Sequence, residues 1–359
     1  MTDTTLTPVD ETGRHSMPLQ GAQLPRYAPG LAAGIAVGIA VLAVLLGGVG
    51  AVAAVMIGWV LLAVGLPAWS RAVEGPRKAA DRVAGVLVWS AFALAMIPLV
   101  SLVWTVVSKG LPILSAQFFQ NSMRGILGEG GGIYHAVMGT LIITALATLI
   151  SVPIGVLSAI YLVEYGKGSK LARVITFLVD VMTGIPSIVA GLFAYALFVI
   201  FFGPGVRMGF GGSVALSVLM IPIVVRATEE MLKLVPDELR EASYALGVPK
   251  WRTIVKVVLP TAVAGIVTGV TLAVARVAGE TAPLLIIAGL TTGANFNPFS
   301  ERMATLPVFI FYAITEPGIY DEEMAAYAWG AALTLVTLVM VLNVAARVIG
   351  SVFAPKTGR

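Results

Sequence analysis

Residues 136–162 read AVMGTLIITALATLISVPIGVLSAIYL, twenty-seven positions without one charged side chain. A helix rises about 1.5 Å per residue, so roughly 20 apolar residues cross the ~30 Å hydrocarbon core of a bilayer. This stretch is long enough to span it. Outward in both directions, further apolar runs with few or no charges occupy 30–49, 51–69, 83–107, 174–202, 212–225, 258–280 and 327–349. The run at 212–225 is short by itself, but Gly209, Gly211 and Gly212 let its helix begin earlier. The eight runs predict an all-α polytopic membrane protein.

The composition agrees. Of 359 residues, 58% are hydrophobic and 12% charged, whereas a soluble chain carries about 25% charged residues to wet its surface. An ordinary soluble globule is excluded. With no cysteine, the chain has no disulfide, thiolate zinc site, Cys-ligated cluster or Cys nucleophile, and two histidines leave little for a His-based metal site.

The first 28 residues are polar and lack the charged start and immediate apolar core of a signal peptide, so they read as a disordered cytoplasmic tail. With the amino terminus inside, Lys and Arg divide sharply between the two faces. Eighteen fall on the cytoplasmic side, six of them in the loop 226–256 (Arg226, Lys233, Arg240, Lys250, Arg252, Lys256). The outer side holds Lys109, Arg124, Arg207 and Arg302, and Arg276 lies within a span. This split satisfies the positive-inside rule with both termini cytoplasmic, and an even number of spans requires both ends on one side.

Short loops leave no room for a catalytic domain. The outer segment 108–132 contains the run Gly128-Glu129-Gly130-Gly131-Gly132, but it lacks the Gly-Lys-Ser/Thr ending and preceding strand of a phosphate-binding loop, and reads as a turn feeding a helix at Ile133. If transport here is driven by ATP, another subunit binds it. In the loop 226–256, Pro236-Asp237-Glu238 starts a helix with carboxylates at the positive end of its dipole, and Gly247 with Pro249 ends it. The helix, about 237–246, is expected to line one side with Leu239, Ala242, Ser243 and Leu246 and to keep Glu238, Arg240 and Glu241 wet.

The spacing Glu241-Ala242-Ser243, three residues, Gly247, nine residues, Val257, then Leu259-Pro260 resembles the EAA loop of ABC-type importer permeases, with Ser243 for the second Ala and Val257 for Ile. The resemblance implies a coupling helix, carried by Arg240, Glu241, Ala242, Ser243, Gly247, Leu259 and Pro260, that docks on a cytoplasmic ATPase. Further stretches extend the likeness over most of 85–350: Val152-Pro153-Ile154-Gly155, Gly184-Ile185-Pro186-Ser187-Ile188 and, most specific, Gly279-Glu280-Thr281-Ala282-Pro283-Leu284-Leu285 are similar to the PstA-type permeases of phosphate ABC importers. The resemblance implies a permease subunit of the cytoplasmic membrane moving inorganic phosphate inward, paired with a PstC-type permease, two PstB-type ATPases and an extracellular phosphate-binding protein. This chain would bind no cofactor, since ATP and magnesium sit on the ATPase, and its surroundings would be lipid and protein, with no nucleic acid. The organisation expected is a tail over 1–28, two extra spans and a linker over 29–82, a six-span type-1 permease core over 83–352, and a tail over 353–359.

A charge inside the membrane is costly unless paired or wet, which makes such residues functional candidates. Arg276 and Glu280 stand at i and i+4, on one helix face. Arginine suits an oxyanion because its planar fork donates two parallel hydrogen bonds and keeps its charge. The pair is either part of the substrate path or a clamp between helices. Asp180, Thr183 and Ser187 flank Gly184-Ile185-Pro186, which marks either a broken helix lining a cavity or a packing kink. Glu164 and Tyr165 read as interfacial anchors, and His135 as an interfacial residue. Rival readings are the same scaffold carrying sulfate, molybdate or another oxyanion, an ion-coupled secondary carrier working alone, and a non-transporting membrane scaffold.

Overall fold

The computed structural model describes residues 23–126, 128 and 130–353. Most of the expected amino-terminal tail, Glu129 of the glycine run and the last six residues lie outside them. Described residues form helices and no strand. In chain order these are α1 (Ala28–Gly47), α2 (Ala51–Val73), α3 (Pro76–Gly110), α4 (Ala116–Gln120), α5 (Tyr134–Ile160), α6 (Lys170–Thr183), α7 (Ser187–Phe202), α8 (Gly209–Lys233), α9 (Asp237–Ala245), α10 (Lys250–Thr253), α11 (Leu259–Ala278), α12 (Ala282–Ile287), α13 (Leu306–Thr315) and α14 (Asp321–Phe353). Among the described residues, seven helical segments are long and apolar enough to cross a membrane, and the pair α6 and α7 makes an eighth if counted as one bent span.

The fifth run takes the broken form, one of the two readings of its Gly184-Ile185-Pro186 segment. It is not one helix: α6 and α7 meet at 111°. Pro186 has no N–H to continue the ladder and keeps the residue before it out of the helical region, while Gly184 closes the end of α6. The sixth run has the opposite outcome. Its helix begins at Gly209 and continues to Lys233, long enough to cross.

The chain divides into two compact units, one up to Leu102 and one from Val103 onward. In the first, α1 packs on α2, and the segment after α2 is fastened by Glu74. This carboxylate accepts from the Ser70 hydroxyl at 2.7 Å and the Leu24 backbone N–H at 3.0 Å. Those two hydrogen bonds, with Arg82 and Lys78 near 3.7 and 3.6 Å, hold it below the usual carboxylate range.

In the second unit α5 and α8 form the centre, with Ile143, Leu216 and Met220 buried between them and α11. A second cluster gathers Phe118, Ile133, Leu306, Phe309 and Ala331 from α4, α5, α13 and α14. The helix α13 was not expected. It lies in a segment read as an outer loop, yet Val308 and Phe309 are buried and the Leu306 N–H donates to Thr140 Oγ1 at 2.8 Å. Close approach at this joint requires glycine: a Cβ on Gly139 would stand 1.9 Å from the Ala304 carbonyl oxygen. Gly139→Ala is expected to destabilise the protein by about 1–3 kcal/mol, because backbone and not a flexible side chain would have to move. Thermal unfolding in detergent measures this, and an unchanged midpoint would contradict it.

Two single π-helical turns interrupt the ladder, at Tyr161–Tyr165 after α5 and Ile254–Val258 before α11. Both border the loop that carries α9.

Candidate functional site

The loop between α8 and α11 is built around α9. Pro236 precedes it, and Asp237 and Glu238 fill its first turn. At its end Gly247 adopts φ +74, where a Cβ is strained, and the N–H groups of Gly247 and Val248 return to the Tyr244 and Ser243 carbonyls at 2.9 and 3.2 Å. The expected boundaries hold to within a residue.

The orientation of α9 does not follow the expected one. Arg240, read as wet, is only 12% exposed and pairs with Glu164, 4% exposed, on the π-helical turn after α5. Arg240 Nη2 and Nε donate to Glu164 Oε1 at 2.8 and 3.1 Å, and its remaining donors reach the Val235 carbonyl at 2.6 Å, the Leu232 carbonyl at 2.9 Å and Asp237 at 3.1 Å. Glu164 is thus a buried partner and no surface anchor. Satisfying a guanidinium this fully turns Arg240 inward and leaves Leu239, Glu241, Ala242 and Leu246 on the outside, Leu246 at 83% exposure. A second fastening joins Ser243 and Thr253, whose buried hydroxyls are 2.8 Å apart, so α9 is tied to α10 and through it to the π-helical turn and α11. Leu259 is half-buried and Pro260 exposed in the first turn of α11. Beside the latch is a cleft of about 560 Å³ lined by Glu164, Lys167, Asp237, Arg240, Glu241 and Lys250, among others. Sequence spacing could not show the Glu164 link, which joins positions far apart in the chain.

Arg276 and Glu280 are not paired. The helix α11 ends at Ala278 and Gly279 caps it, so Glu280 leaves the helical path and the i,i+4 register is lost. Arg276 is an exposed residue of the last turn, and its side chain makes no ion pair or hydrogen bond among the described residues.

Asp180 finds a different partner. Arg226, at the far end of α8, donates Nη2 to Asp180 and Nη1 to Glu229 at 2.8 Å, while Lys233 bonds Glu229 at 2.7 Å. Arg226 was missed because α8 extends past its apolar run and carries the residue alongside α6. Thr183 donates back to the Val179 carbonyl at 2.8 Å, and Ser187 is half-buried at the start of α7. His135 is buried within the protein, its ring edge-on to Phe309 at 5.5 Å.

The arrangement offers three things: an apolar ledge on α9, rigid links from that ledge to α5 and α11, and one unpaired guanidinium at the end of α11. The family described as binding-protein-dependent transport system inner membrane component matches residues 151–359. The chain is 47% identical over 278 residues to the phosphate transport system permease protein PstA 1 of Mycobacterium tuberculosis (strain CDC 1551 / Oshkosh), spanning 76% of this chain and 89% of the relative. It is 40% identical over 277 residues to the phosphate transport system permease protein PstA of Yersinia pestis, spanning 76% and 90%. Among solved structures, that of a bacterial alginate ABC transporter in complex with alginate pentasaccharide-bound periplasmic protein matches with a TM-score of 0.51 at 15% identity, over 78% of this chain and 97% of the other. That likeness concerns the fold alone.

Proposed function

Because the chain belongs to the binding-protein-dependent transport inner membrane components and, among them, to the PstA phosphate permeases, we propose that it is a permease subunit moving inorganic phosphate inward through a cell membrane when a partner ATPase hydrolyses ATP. The observation that supports the coupling is the latched α9. Its exposed Leu239, Ala242 and Leu246 form an apolar ledge suited to a groove on the ATPase. Arg240 and Glu164 carry a push on that ledge into α5, and Ser243 and Thr253 carry it into α11. The far end of α11 holds Arg276, so motion of the ledge and the position of the anion-binding guanidinium are linked through one helix.

The full machine would pair this chain with a PstC-type permease, two PstB-type ATPases that hold ATP and magnesium, and an extracellular phosphate-binding protein. Arg276 would take the anion, its fork donating two hydrogen bonds to phosphate oxygens.

Replacing Glu241 and Gly247 together, as Glu241→Ala with Gly247→Val, removes an exposed carboxylate from the ledge and forces a β-branched residue into the left-handed region, at about 1–2 kcal/mol for the backbone alone. ATP-driven phosphate uptake by the assembled importer is expected to fall at least about tenfold while the complex still assembles. Undiminished uptake would remove the coupling role of this loop.

A further inference from the structure

Basic residues are disfavoured on the outer face of a membrane protein, and this chain places only four there by the reading of its loops. Three of them converge on one loop. The Cβ that Gly289 lacks would stand 3.2 Å from Arg207 Cδ and 3.3 Å from Arg302 Cδ, so the two arginine stems flank this glycine side by side. The corresponding point at Gly293 is 3.5 Å from Arg124 Cδ. Against the two arginines beside Gly289 opens a cavity of about 610 Å³ lined by Arg207, Arg302, Thr291, Thr292, Leu290, Glu301 and Gly205. No ion pair involves Arg124, Arg207 or Arg302 among the described residues. Glu301 lines the same cavity at φ 56 but forms no ion pair with either arginine. The fourth outer cation, Lys109, is elsewhere, 5.1 Å over the Trp329 ring.

Unpaired guanidinium groups held side by side, with hydroxyls on the same wall, have the chemistry of a tetrahedral oxyanion site: each fork offers two parallel donors and threonine supplies single ones. A dianion is favoured by two positive charges against one carboxylate. The cavity is also placed in sequence with the path, since Gly289 closes α12 and α12 begins just after Arg276, Gly279 and Glu280.

We propose that the Arg207–Arg302 cavity is a collecting site for phosphate at the outer mouth of the permease, occupied before the anion reaches Arg276. This rests on the phosphate-import reading above.

The test uses the whole importer in proteoliposomes, with binding protein outside, ATP inside and radiolabelled inorganic phosphate as probe. In R207Q/R302Q, uptake at saturating binding protein is expected to fall at least about tenfold, since the charge-assisted interactions of both arginines are lost. The concentration of binding protein giving half-maximal uptake is expected to stay unchanged, and R207K/R302K, which keeps the charge, to recover part of the rate. If the half-maximal concentration rises while the maximal rate is kept, the arginines dock an acidic surface of the binding protein and the collecting site is overturned. Unchanged values of both would overturn it as well. Should the glutamine variant fail to assemble, the lysine variant decides: full wild-type rate contradicts a role for the bidentate fork, and a reduced rate at unchanged half-maximal concentration supports it. Failure of the underlying import reading is distinct, because the unmodified importer would then show no phosphate uptake.

Discussion

Glu164→Ala is expected to destabilise the assembled importer by roughly 3–5 kcal/mol and to separate ATP hydrolysis from phosphate uptake. The magnitude follows from burial: Arg240 and Glu164 are 12% and 4% exposed, and removing Glu164 takes away the buried carboxylate of Arg240 and leaves it only the exposed Asp237 as a charged partner. Three backbone and side-chain acceptors would remain around Arg240, so the helix α9 should persist locally. What is lost is its attachment to the end of α5. Thermal unfolding of the complex in detergent reads the first effect, and the ratio of ATP hydrolysed to phosphate transported reads the second. In Glu164→Ala/Arg240→Ala the unfolding penalty should shrink, since no largely buried guanidinium is left short of its partner, while the transport ratio should stay poor. A single variant as stable and as tightly coupled as the parent would show that the pair is incidental.

Arg276→Gln is expected to lower phosphate uptake by at least about 100-fold, equivalent to roughly 2.7 kcal/mol, with assembly intact. Its side chain has no partner among the described residues, so removing it leaves no protein group unpaired and little stability is at stake. A cation without a partner at the end of α11 is open to a ligand from outside the chain, and the proposed anion role of Arg276 is what this variant tests. Arg276→Lys should recover only a fraction of the loss, because an ammonium keeps the charge but not the planar fork. Initial rates of labelled phosphate uptake by the reconstituted importer measure both. Rates within twofold of the parent would remove Arg276 from the path.

What the sequence disclosed depended on how local the cause was. The long apolar runs were legible because crossing a bilayer is a property of the run itself. The ends of α9 were legible for the same reason: Pro236, the Asp237-Glu238 pair and Gly247 act within a turn. Its orientation was not, because Glu164 rather than the helix's own apolar pattern decides which face turns inward. The 111° break between α6 and α7 was signalled by Gly184 and Pro186, but residue type alone does not separate a kink from a full turn. The Arg276–Glu280 register failed on a detail of two residues, the end of α11 at Ala278. A signal for α13 was present: Thr305 followed by the charge-free run 306–314, with Pro307 in the first turn. The run is too short to be found by a search for spans of about 20 residues. The pairing of Asp180 with Arg226 had no local signal, since it needed the break before α7 and the extension of α8 together.

The most direct test of the permease assignment is phosphate uptake into proteoliposomes holding this chain alone, compared with those holding it together with its partner permease, ATPase and binding protein. Uptake is expected only in the complete set, only with ATP on the ATPase side, and not when this chain is left out. ATP-independent phosphate uptake by the purified chain alone would contradict it and make the protein a secondary carrier.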